Sequence, residues 1–172
     1  MTTTWRRSGL VLALVTVGIA ARLGAQGSTD SGFAKVQTRG AMVMGVDQTR
    51  SHHVFEDLPD GGRIIYTVDD QADTGGTLMI RHHLSQIQDR FAAGDFSDPS
   101  RVHDLTVPGT GTMTRLRDRI HYRFTERPGG AELGISSDDP EARAAIHDFL
   151  TFQRMDHRAP GHEDSTGHHH PS

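Results

Sequence analysis

Two turn sequences, Pro59-Asp60-Gly61-Gly62 and Pro128-Gly129-Gly130, each separate a pair of short strand-like segments, and a helical pattern follows each pair. The first unit reads as strands Gln48–Glu56 and Arg63–Val68 followed by a helix over Thr77–Ala93. The second reads as strands Arg119–Glu126 and Ala131–Ser136 followed by a helix over Pro140–His157. Glycine at each reversal supplies the positive φ that tight hairpins need. Ile120, Tyr122, Phe124 and Leu133, Ile135 recur at the period of two that half-buried strands require. Asp138-Asp139 ahead of Pro140 is a helix start signal. Aligning the turns makes Phe55 and Phe124 equivalent. The expected fold is therefore α+β: two ββα units forming a four-stranded antiparallel sheet with both helices on one face, a two-layer sandwich.

The ends of the chain read differently. Residues 1–27 carry a basic start (Arg6, Arg7), an apolar run from Leu10 to Ala21 and the small-residue site Ala25-Gln26-Gly27. This is the pattern of a secretory signal peptide, and the run is too short for a good membrane span. Export to the periplasm or medium is the expected location, with mature protein starting between Gln26 and Ser28. Residues 28–44 read as a linker, 45–160 as the folded domain and 161–172, "GHEDSTGHHHPS", as a disordered histidine-rich tail. The segment between the units, from Gly94 to Asp118, reads as an ordered loop packed on the domain, with a helical turn near Met113 and Leu116.

Charge and cysteine content exclude several classes. The chain has 18 Lys+Arg against 22 Asp+Glu. Loss of residues 1–27 removes three arginines and no acid, which leaves 15 against 22 and a net charge near −7. Nucleic acid is not an expected partner for so acidic a protein. Cysteine is absent, so disulfides, thiolate metal sites and nucleophilic thiols are excluded. No P-loop, dinucleotide fingerprint or G-x-S-x-G is present.

Histidine is abundant, with 12 in the chain. A strand sends neighbours to opposite faces, so in the pair His52-His53 it is His53 that shares the core face with Phe55. On the first helix Ile80, Leu84, Ile87 and Phe91 form the apolar stripe, with His83 at its edge and His82 pointing away. On the second the stripe is Ala142, Ile146, Phe149, Leu150 and Gln153. His157 continues it and His147 flanks it. His53, His83, His103 and either His147 or His157 are thus expected to converge at one edge of the helix–sheet layer. Neutral imidazoles suit copper and zinc. The expected function is sequestration or delivery of copper or zinc by a histidine cluster. Met42 and Met44 are candidates to assist copper(I). The alternatives are a noncovalent haem protein with histidine axial ligands, a small enzyme using His103 as base, and an envelope interaction module in which these histidines are structural.

The segments "HHVF", "HHLSQI…FAAGDF", "VHD", "ISSDDPEARAAIHDFLTFQ" and "DHRAPG" together resemble a family of small exported bacterial proteins, mostly described as hypothetical. The resemblance covers about Gly45 to Gly161. It implies export and a single domain, and it carries no activity or site assignment.

Overall fold

The computed structural model describes residues 18–159, with side chains from Asp30 onward. The first 17 residues of the expected signal peptide and the whole tail 161–172 lie outside the described residues. The chain divides into two compact units, the first ending at Gly32 and the second beginning at Phe33. The elements run α1 (Gly18–Met44), β1 (Ser51–Leu58), β2 (Gly61–Val68), α2 (Thr74–Ala92), α3 (Ser97–His103), α4 (Thr110–Arg115), a 3₁₀ turn (Arg117–Arg119), β3 (His121–Arg127), β4 (Gly130–Ser136) and α5 (Pro140–His157).

The sheet is antiparallel throughout, in the order β1-β2-β4-β3. Each hairpin pairs its phenylalanine with a branched aliphatic residue nine positions on, Phe55 with Ile64 and Phe124 with Leu133. The expected two ββα units in one α+β layer pair are therefore the observed fold. The helices pack crosswise: α2 lies over β4 and β3, and α5 lies over β1 and β2. Ile80, Leu84, Ile87 and Phe91 of α2 and Ala142, Ile146, Phe149 and Leu150 of α5 are buried with Phe55, Ile64, Tyr66, Leu133 and Ile135 in a single core.

Local chemistry fixes the helix ends. Asp73 caps α2 by accepting a bond from the Gly76 amide at 2.8 Å. Asp139 caps α5, accepting from Glu141 N at 2.8 Å and Ala142 N at 3.3 Å, with Pro140 in the first turn where no amide is missed. Arg119 binds the second oxygen of Asp139 at 2.5 Å. Asp139→Ala is expected to lower stability by about 1 kcal/mol, the usual worth of such a cap. Urea denaturation checks this, and an unchanged midpoint would mean the cap is not used.

Two differences from the sequence-based expectation bear on the site. Residues 28–44, expected as a linker, lie within α1, which also runs unbroken through the expected cleavage site at Ala25-Gln26-Gly27. Val36, Gly40 and Met44, spaced by four, are buried. Arg39 ties the helix down by donating from Nε to the Val102 carbonyl at 2.6 Å. The segment from Gly94 to Asp118, expected as a loop with one helical turn, holds two short helices, and it packs Phe96, Val102, Val107 and Met113 inward. Among the described residues, no helix is long and apolar enough to cross a membrane.

Candidate functional site

The strand alternation decides the first histidine. His53 pairs across the ladder with Tyr66, and its ring lies flat on the tyrosine ring with centroids 3.7 Å apart. His52 turns outward, its Nδ1 2.7 Å from Asp69 Oδ1 and its Nε2 3.0 Å from Thr67 Oγ1. Tyr66 is itself fixed, since its hydroxyl meets Gln48 Nε2 at 2.7 Å and Ser51 Oγ at 3.0 Å.

Three helices bring the others. His157 closes α5, and its ring centroid is 5.1 Å from His53 and 5.1 Å from His103. His103 ends α3 and is buried. Its Nδ1 bonds the Asp156 carboxylate, and its Nε2 lies 3.0 Å from Gln153 Oε1. A carboxylate accepts only, so Nδ1 carries a proton. Nε2 then either donates to Gln153 or accepts from it, according to which way the amide is turned. His83 reaches the same place from α2. All four line one cavity of about 70 Å³, together with Phe55, Ile64, Leu84, Ile87, Phe91, Phe149 and, from α1, Val43 and Met44. The end of α5 is held over β1 by Arg154, which donates to the Phe55 carbonyl at 3.1 Å and to Asp57 Oδ2 at 2.7 Å.

Burial sets the charge state. Desolvation lowers the pKa of His83 to about 4, partly opposed by Asp98, with Arg90 and His82 lowering it a little further. Desolvation, then the neighbouring His103, lowers His157 to about 4. His53 is driven well below the ordinary histidine value, first by desolvation and then by His157, His83, His52 and His103. These three rings keep some exposed surface but are packed closely enough that an imidazolium is poorly solvated. At neutral pH they hold lone pairs and no charge.

His147 is the correction. It lies ten residues before His157 on α5, about 15 Å along the axis, and its Nε2 bonds the Leu58 carbonyl at 3.0 Å beside the first hairpin turn. It takes no part in the cavity. Of the sequence candidates, His53, His83, His103 and His157 meet, and His147 does not. Sequence reasoning missed Asp156 and Asp98; it placed Gln153 on the inward stripe without a role at the site, and it named Met44 only as a copper(I) candidate within the expected linker. The Asp-His adjacency at 156–157 was a visible signal, although the carboxylate serves His103 rather than its neighbour. Asp98 lines the cavity but is held by Arg90 and Arg101.

The arrangement suits a metal in three respects and lacks a fourth. Three donors are uncharged, and a ligating histidine whose other nitrogen donates to a carboxylate is the usual outer-shell pattern. Two imidazoles on one tetrahedral ion, with bonds of about 2 Å, place their ring centres roughly 5 Å apart, as His157 stands to both His53 and His103. Yet among the described residues no three histidine or carboxylate side chains are aimed at a common ion position as they stand. Comparison with family models, with curated proteins and with solved structures finds no match to this chain.

Proposed function

We propose that the protein binds a copper or zinc ion through His53, His103 and His157, with His83 as the fourth candidate donor, and serves to sequester or deliver it outside the cytoplasm. The observation that carries this reading is the contact of three imidazoles around one cavity, two of them kept neutral by desolvation and the third oriented by Asp156. Uptake requires His103 Nε2 to exchange Gln153 for the ion and the rings of His53 and His157 to turn their lone pairs toward it. Asp156 would raise the basicity of His103 and hold its tautomer.

The alternatives receive less support. A haem would need a slot of several hundred Å³, the usual size of organic ligand pockets, where the cavity measures about 70 Å³. For an enzyme in which His103 activates a protein nucleophile, the described residues lining the cavity supply no hydroxyl or thiol.

The test uses the chain with tail residues His162, His168, His169 and His170 changed to alanine, so that only the domain is assayed. Metal analysis after equilibration with copper or zinc and desalting is expected to give one ion per chain. His53→Ala, His103→Ala and His157→Ala should each abolish it, while His52→Ala, His82→Ala and His147→Ala retain it. Equal retention by both groups, with circular dichroism showing all variants folded, refutes the assignment.

A further inference from the structure

Resting on the metal-binding reading above, we infer that the ion is copper(I) and that the Met44 thioether is one of its ligands. The notable fact is where α1 ends. The helix stops at Met44 because Gly45 adopts φ +68°, a left-handed cap, with its amide returning to the Ala41 carbonyl at 2.9 Å. That stop places a buried methionine, 8 % exposed, in the wall of the cavity that the four histidines line. Thioether sulfur is a soft donor, and soft donors favour copper(I) over zinc(II). With no cysteine in the chain, it is the soft sulfur this cavity has.

Charge balance points the same way. The walls are mainly aliphatic and aromatic, and burying a charge in such surroundings costs energy that rises steeply with the charge. Imidazoles that ligate a metal are neutral, and so is a thioether. Asp98, the carboxylate at the cavity wall, is already neutralised by Arg90 and Arg101. Asp156 is the remaining anion, joined to the donor set through His103. A monovalent ion with Asp156 sums to zero. A divalent ion leaves an uncompensated positive charge against Phe55, Phe91 and Phe149.

Anaerobic competition with the copper(I) chelator bicinchoninate, and zinc(II) titration in parallel, test this on the chain carrying the four tail substitutions. Met44→Leu conserves volume and should fold. Loss of a ligand should weaken copper(I) binding by at least the roughly tenfold to hundredfold that losing a group that merely supports a ligand costs, and leave zinc(II) binding unchanged. Met42→Leu, on the exposed face of α1, should change neither. X-ray absorption should show a copper–sulfur path that Met44→Leu removes. Stoichiometric copper(I) binding that is indifferent to Met44→Leu, with no sulfur path, overturns the thioether assignment and leaves the histidine site standing. Zinc(II) bound more tightly than copper(I) overturns the choice of ion. No binding of either metal refutes the underlying site, and this inference with it.

Discussion

Lowering the pH of the metal-free protein from 7.5 to 5.0 is expected to remove about 4 kcal/mol of folding stability. His83 and His157 have folded pKa values of about 4, against 6.5 for the free side chain. Because the folded values are the lower ones, the unfolded chain takes up protons first as the solution is acidified. The stabilising contribution of the neutral rings is complete above pH 6.5 and is lost as the pH falls from 6.5 to 4. At pH 5 each histidine accounts for about 2 kcal/mol by linkage. His53 shifts in the same direction and adds to the loss. Against a typical total of about 5–15 kcal/mol, such a change is about a quarter of the stability or more. Urea denaturation in the presence of chelator, at the two pH values, measures it. His83→Phe should flatten the dependence by removing one titrating ring. A midpoint that does not move between pH 7.5 and 5.0 would show that these rings accept protons within the fold.

The second large effect concerns Gly109, which opens α4. Its backbone has φ +78°, and a Cβ there would stand 2.1 Å from the Ala145 carbonyl oxygen and 3.1 Å from Phe149 N. The obstacle is the backbone of α5, which cannot swing aside as a side chain does. Gly109→Ala is expected to cost more than the ~1–2 kcal/mol of left-handed backbone alone, because α4 must also lift from α5. Gly111, two residues on, has nothing within 4 Å of its would-be Cβ and lies inside the helix. Gly111→Ala should be neutral or stabilise by up to about 1 kcal/mol through helix propensity. Chemical denaturation of the two variants compares them directly. Similar midpoints would mean that the α4–α5 approach is looser than the structure has it.

The elements most legible in the sequence were those whose pattern repeats. Both hairpins, the helix stripes of α2 and α5 and the inward choice of His53 over His52 follow from periods of 2 and 3.6 alone. α1 was missed because its buried stripe is Val36, Gly40, Met44. The middle position carries no side chain, so close approach of the helix to the domain leaves no hydrophobic signal. Periodicity could not separate His147 from His157, since both border the same stripe. Distance along the axis separates them, and that depends on where the other three histidines lie. Asp156 was invisible for a related reason. Its partner, His103, is 53 positions away, and nothing local marks an aspartate at the end of a helix as belonging to another element.

The crosswise packing of the two helices has a consequence for how the sandwich is divided. In the aligned hairpins, the counterpart of His53 is Tyr122. Counted from the caps Asp73 and Asp139, the counterpart of His157 is Phe91. Phe91 and Tyr122 meet edge to face at 6.0 Å, just as His53 and His157 meet at 5.1 Å. The two ends of the sheet are thus quasi-equivalent halves built on one plan, an edge-strand ring against a ring from the other half's helix. One pair is hydrocarbon but for the Tyr122 hydroxyl, which is buried with no hydrogen-bond partner among the described residues. The other is furnished with nitrogen. A duplicated architecture lets the same pair of ring positions be filled with hydrocarbon at one end and with nitrogen at the other, without a change of backbone plan and around one shared core.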